Sequence, residues 1–148
     1  MSSAKEQAVV IGHHTVMQSL EEAMTDSLGL LDGDEYTTHW HCNGSYVREV
    51  FLPKNHIVTG KVHRYACINI VLSGKVIVVQ SDGRKTVEAP YIYISEPGEK
   101  KALYALEDTR FLNVHATEET DQELLEAEFT VPEHALLEFY ESTRLEEK

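Results

Sequence analysis

The sequence is poor in the features that mark most functional classes. It holds two cysteines in 148 residues, Cys42 and Cys67, and neither belongs to a Cys-x-x-Cys or to a Cys/His pairing at zinc-finger spacing. That excludes a disulfide-stapled scaffold and a zinc ribbon, and it suits a reducing cytoplasmic setting. Basic side chains are scarce: 13 Lys and Arg stand against 25 Asp and Glu, for a net charge of −12. Long nucleic acid is therefore not an expected partner, because neutralising phosphates needs basic surface. No run of 18 apolar residues occurs, and the opening Met1-Ser2-Ser3-Ala4-Lys5-Glu6 lacks the apolar stretch of a signal peptide. No membrane association is expected. Gly-x-Ser-x-Gly, P-loop and dinucleotide fingerprints are missing too, which leaves hydrolase and kinase readings without support.

What is present is globular composition, 42% apolar and 26% charged, in a chain long enough to bury one core. The charge is unevenly divided. Residues 1–45 carry −6, residues 46–116 carry +3 and residues 117–148 carry −9. The periodicity changes at the same places. This predicts one domain made of an N-terminal helix and loop (1–45), a β-barrel (46–116) and C-terminal acidic helices (117–148).

In the first block Val16, Leu20, Ala23, Met24 and Leu28 recur at helical spacing, and Leu31-Asp32-Gly33-Asp34-Glu35 ends the run with turn chemistry. Asp32 and Asp34 lack the remaining ligands of a calcium loop and read as a solvated turn. His13-His14 are adjacent, about 100° apart on a helix, which makes a poor chelate. The middle block predicts eight strands: 46–52, 56–64, 67–72, 75–80, 84–88, 91–95, 100–106 and 110–116. Pro53, Ser73-Gly74, Ser81-Asp82-Gly83, Pro90 and Pro97-Gly98 separate them. Short strands so regularly spaced must close or stack to hide their edges, so a sandwich or barrel follows. In the last block Thr120-Asp121-Gln122-Glu123 reads as a capping box ahead of Leu124, Leu125 and Phe129. A second helix from about Glu133 carries an apolar band through Leu136, Leu137, Phe139 and Tyr140, which must cover the barrel wall or a neighbouring subunit. That band, together with open strand edges, predicts a homo-oligomer.

The segment from Gly60 to Lys75 resembles the first motif of the cupin family, a glycine followed by His-x-His, a glutamate and a closing glycine. Counted back from Gly74, His63 falls on the second histidine, Lys61 on the first and Cys67 on the glutamate. Pro97-Gly98-Glu99-Lys100-Lys101-Ala102-Leu103 resembles the second motif, with Lys101 at its histidine. A further resemblance spans about residues 38–128. Gly44-Ser45-Tyr46-Val47-Arg48-Glu49, Gly60-Lys61-Val62-His63, Glu96-Pro97-Gly98 and His115-Ala116-Thr117-Glu118-Glu119-Thr120 are similar to phrases of small cupin-type proteins encoded by tailed bacteriophages. The resemblance implies an all-β cupin-type double-stranded β-helix, a jelly-roll barrel, and a viral source. It implies a setting in the host cytoplasm during infection or in the virion.

In a small barrel alternate strand residues face inward. Along the strand through residue 63, Lys61, His63 and Tyr65 share one face. On the strand 110–116, Phe111, Asn113 and His115 share another. With lysines replacing metal ligands, Lys61, His63, Lys101, His115, Tyr65 and Asn113 are expected to line a site for a small anionic molecule, such as a nucleotide, a sugar phosphate or a sugar acid. The plain alternative sends both lysines to the surface and leaves His63 a satisfied core residue. No cofactor is favoured. A divalent metal is the competing possibility, held by His63 and His115 with His39 or His41 as third ligand. Thr38-His39-Trp40-His41-Cys42 otherwise reads as a loop whose Trp40 plugs the barrel mouth. Three functions follow: a non-catalytic binding module, a virion or assembly protein with a vestigial cavity, and an isomerase or metal-dependent enzyme.

Overall fold

The strand alternation closes into two facing antiparallel sheets. The computed structural model of the chain describes residues 35–80 and 83–146. The expected helix over 16–28, the His13-His14 pair and the Asp32-Gly33-Asp34 turn lie outside the described residues.

The strands are β1 (Thr37–Cys42), β2 (Ser45–Leu52), β3 (Ile57–Thr59), β4 (Val62–His63), β5 (Cys67–Ser73), β6 (Lys75–Gln80), β7 (Gly83–Glu88), β8 (Tyr91–Ser95), β9 (Ala102–Ala105), β10 (Thr109–Ala116) and β11 (Thr130–Val131). Two helices follow the sheets, α1 (Gln122–Phe129) and α2 (Leu136–Glu146), the second led by a 3-10 turn over Glu133–Ala135. One sheet runs β1-β2-β10-β5-β8 and the other β3-β9-β6-β7, with a two-stranded ladder of β11 and β4 beside them. Leaving out the edge strand β1, the chain passes back and forth between two four-stranded sheets. That is the order of a jelly roll, so the all-β double-stranded β-helix is the fold. Among the described residues no helix is long and apolar enough to cross a membrane.

The main core lies between the sheets toward one end of the barrel. Leu52, Val71, Val76, Val78, Val87, Leu103, Ala105 and Phe111 form it, with Tyr91 and Tyr93 packed against it. Each fully buried Val or Leu there contributes about 1.5–3 kcal/mol. Gly74 makes the tight link from β5 to β6. Its φ is +93°, and a Cβ there would collide with the Asp108 carbonyl and Thr109. A second cluster joins Val62 of β4, Val131 of β11, and Leu136 and Tyr140 of α2. The apolar band of α2 thus covers its own barrel through Leu136 and Tyr140, while Leu137 stays exposed.

Four local expectations need correction. The segment 56–64 is two strands, because the chain leaves the sheet at Gly60, whose amide donates to the Lys101 carbonyl. Residues 38–42 are strand and not loop: β1 pairs with β2 along its whole length. Trp40 therefore lies on the outer sheet surface, its Nε1 donating to Glu49, and plugs nothing. Helix α1 is capped by Asp121, whose carboxylate accepts from the Leu124 amide, and Thr120 lies one residue before the cap.

Candidate functional site

Cross-strand register sorts the inward side chains of the five-stranded sheet into rows. The innermost row is apolar: Val50 pairs with Phe111, Phe111 with Val71, and Val71 with Tyr91. One step toward the mouth the row turns polar, through Arg48, Asn113, Asn69 and Tyr93. The next row carries Tyr46, His115, Cys67 and Ser95. The same period-two alternation that buries Phe111 and Val71 therefore turns Asn113, His115, Asn69 and Cys67 inward as well.

Asn69 is the hub of the polar row and is fully buried. Its Oδ1 accepts from Asn113 Nδ2 at 2.6 Å and from Lys101 Nζ at 2.6 Å. Its Nδ2 donates to the Cys67 carbonyl and to Ser95 Oγ. Lys101 arrives from the opposite sheet, just ahead of β9, and its Nζ lies 5.4 Å from the centre of the Phe111 ring. The ammonium is thus inside the barrel on an amide oxygen, and among the described residues no carboxylate forms an ion pair with it. Burial holds Lys101 down to about 8, with Arg48 adding to the effect and Cys67 and Glu99 opposing it.

His63 and His115 face each other at the mouth, ring centres 5.8 Å apart. Burial first, then Lys101, His115 and Arg48, hold His63 down to about 3. Burial, Lys101 and Arg48 hold His115 down to about 4. Both imidazoles are neutral at neutral pH. His63 Nδ1 is buried without a hydrogen-bond partner among the described residues, as is the hydroxyl of Tyr93. The Cys67 thiol donates toward the Val114 carbonyl, and burial pushes its pKa up.

The resemblance to cupins implies a metal, and the donors can be tested for fit. One ligand atom from each of His63, Cys67 and His115 lies within 4.8 Å of the others. Two imidazoles and a thiol suit a borderline dication in number and kind. Lys101 and Arg48 oppose one, and Cys67 would have to ionise where burial favours the thiol.

Of the expected site residues, the structure brings together His63, Lys101, His115 and Asn113. Lys61 is not among them: it is exposed and pairs with Glu126 of α1. Tyr65 is exposed as well, its ring set edge-on to Phe129. Alternation through His63 predicts both inward, but β4 covers only Val62–His63 and neither residue lies in a strand. His39 and His41 lie on exposed β1 and stack on Tyr46, with His39 Nδ1 2.7 Å from the Tyr46 hydroxyl. The third donor beside His63 and His115 is Cys67, while the Tyr46 ring stacks on His41 and on His115. Sequence reasoning missed Arg48, Asn69 and Tyr93, and it put Cys67 on the glutamate position of the first motif without counting it among the site residues. Asn69 had a visible signal, a lone amide two residues from Cys67 in an otherwise apolar strand.

No protein-family model matches the chain, and no curated protein matches it in sequence. Similar solved structures include KdgF from a Halomonas species, with a TM-score of 0.49 and 12% identity over 60% of this chain and 81% of that one. A cupin-superfamily protein of Desulfitobacterium hafniense has a TM-score of 0.47 and 7% identity, over 54% and 74% of the two chains. An RmlC-like cupin with a double-stranded β-helix fold, from Methanocaldococcus jannaschii, has a TM-score of 0.46 and 10% identity, over 60% and 87%. Cupin-superfamily proteins are thus among the solved structures to which this chain is similar.

Proposed function

We propose that this chain is a non-catalytic cupin-type module that binds a small anionic molecule, a nucleotide, sugar phosphate or sugar acid, at the mouth of the barrel. The observation that carries the reading is Lys101, a cation brought inside the barrel onto the Asn69 amide with no ion pair to a carboxylate among the described residues. A phosphate or carboxylate would supply the missing charge, and an ionic hydrogen bond of this kind is worth about 1.5–3 kcal/mol. Asn113, and His63 through its unsatisfied Nδ1, add neutral polar contacts that orient without repelling an anion. Calorimetric titration of nucleotides, sugar phosphates and sugar acids tests this. At least one is expected to bind below millimolar, and Lys101→Met to weaken it at least about tenfold while leaving stability equal or higher, since an apolar isostere removes a buried charge. Binding by no member of the panel, or unchanged binding in Lys101→Met, overturns the reading. The phrases shared with small cupin-type proteins of tailed phages support a phage-encoded protein. Its setting, host cytoplasm or virion, is decided by mass spectrometry of purified particles.

The His63–Cys67–His115 cluster favours a second reading, a divalent metal site. Cobalt added to the reduced protein would give a thiolate charge-transfer band that Cys67→Ser abolishes. Absence of that band, and of stoichiometric metal in elemental analysis, removes this reading.

A further inference from the structure

The outer face of the five-stranded sheet is largely apolar. Register aligns Trp40, Val47, Val114, Ile68 and Ile94 in one row across the sheet. The adjacent row runs Thr38, Glu49, Leu112, Ile70 and Ile92. Phe51 and Leu72 extend the surface toward the next row. Trp40, Phe51, Ile68, Leu72, Ile92 and Ile94 are six of the nine large hydrophobics exposed among the described residues, and Ile92 and Ile94 are 67% and 65% exposed. Antiparallel sheets with one face in water normally alternate apolar with polar residues. On β8, Tyr-Ile-Tyr-Ile keeps both faces apolar.

We infer that this face is a self-association surface on which a second copy of the chain stacks sheet against sheet. Charge supports a like partner. The one carboxylate in the two rows, Glu49, is held by Arg110 at 2.7 and 3.0 Å and by Trp40 at 3.1 Å, so the patch carries no net charge in a chain of −12. Two copies can meet here without the repulsion that their acidic C-terminal segments would produce. Area also supports it. Five strands about 4.8 Å apart, with outward side chains about 6.6 Å apart along each strand, cover a flat footprint on the order of 500 Å². That footprint approaches the lower end of the roughly 600–1,000 Å² per partner that specific interfaces bury. Contiguous apolar patches of this size commonly mark an interaction surface. Sheets stack face to face through such side chains in every β-sandwich.

Trp40 is the chain's single tryptophan and lies on the patch, so its emission reports the interface directly. The experiment uses the full chain in reducing buffer, because Cys42 is an exposed thiol. Sedimentation velocity across a dilution series is run beside Trp40 fluorescence for the wild type, for Ile92→Glu/Ile94→Glu, and for Leu137→Glu on the exposed side of α2. The wild type is expected to be a dimer whose Trp40 emission shifts red as dilution dissociates it. Ile92→Glu/Ile94→Glu, which puts two carboxylates at the most exposed apolar positions of the face, is expected to weaken association at least about a hundredfold, with circular dichroism unchanged. Leu137→Glu is expected to remain a dimer. A wild-type monomer overturns the inference, and so does a dimer that survives Ile92→Glu/Ile94→Glu. A blue-shifted Trp40 in a monomer also overturns it, and points to residues 1–34 as the cover instead.

Discussion

The two faces of the five-stranded sheet invert the usual division of labour. The inner face is apolar at its base, through Val50, Phe111 and Val71, and then turns polar through Arg48, Asn69 and Asn113, where Lys101 reaches it from the opposite sheet. The outer face keeps Ile68, Ile70, Ile92, Ile94 and Leu112 where water-facing residues are ordinary. Burial of charge costs free energy and exposure of isoleucine forgoes it. A single-purpose fold would do neither. The two proposals answer one departure each: an anion for the inner mouth, a second copy of the chain for the outer face.

Three measurements bear on that contrast, in decreasing order of expected effect. Phe111→Ala should destabilise the chain by about 3–5 kcal/mol in denaturant unfolding, because it empties the apolar base of the inner face beneath Lys101. A loss below 1 kcal/mol would mean that this base does not anchor the barrel. The pH dependence comes next. His63 and His115 are held at about 3 and about 4 in the fold, below the ordinary 6.5. Between pH 6.5 and those values the unfolded chain binds protons that the folded chain refuses, so stability falls on acidification through this window and levels off below it. Replacing His63 with Asn should flatten part of that limb relative to wild type, and parallel profiles would contradict the neutral, buried assignment. The smallest effect belongs to Lys61→Ala. Lys61 is an exposed partner of Glu126, so stability should change by less than about 0.5 kcal/mol and anion binding not at all. Loss of binding there would return Lys61 to the barrel mouth.

The strand list was legible because punctuation and alternation are local. Ser73-Gly74 marks a real link between β5 and β6, and His115 and Asn113 face inward as their spacing from Phe111 requires. Alternation fails where it is carried beyond the two residues of β4. Gly60 and Lys61 look like mid-strand residues, yet Gly60 is tied to the Lys101 carbonyl and Lys61 faces α1. Its partner Glu126 lies far along the chain, out of reach of any local pattern. Cys67 stands at the glutamate position of the first motif, but its approach to His115 comes only through the pairing of β5 with β10. Asn69 and Ile92–Ile94 were legible in principle: a polar residue inside an apolar strand, and an apolar residue at each outward position, both break the expected pattern.

The β4–β11 ladder has a consequence for the order of assembly. His63 is fixed by backbone bonds to Glu99 and Gly98 and by pairing with Thr130, and Arg64 donates to the Phe129 carbonyl. These partners lie far along the chain, the last of them almost half its length away. Contacts that close such long loops form late in folding. On a ribosome, the barrel strands through β10 are complete before the segment that clamps β4 has emerged. Val62 and His63 therefore gain their β11 partners only after the barrel strands have been made.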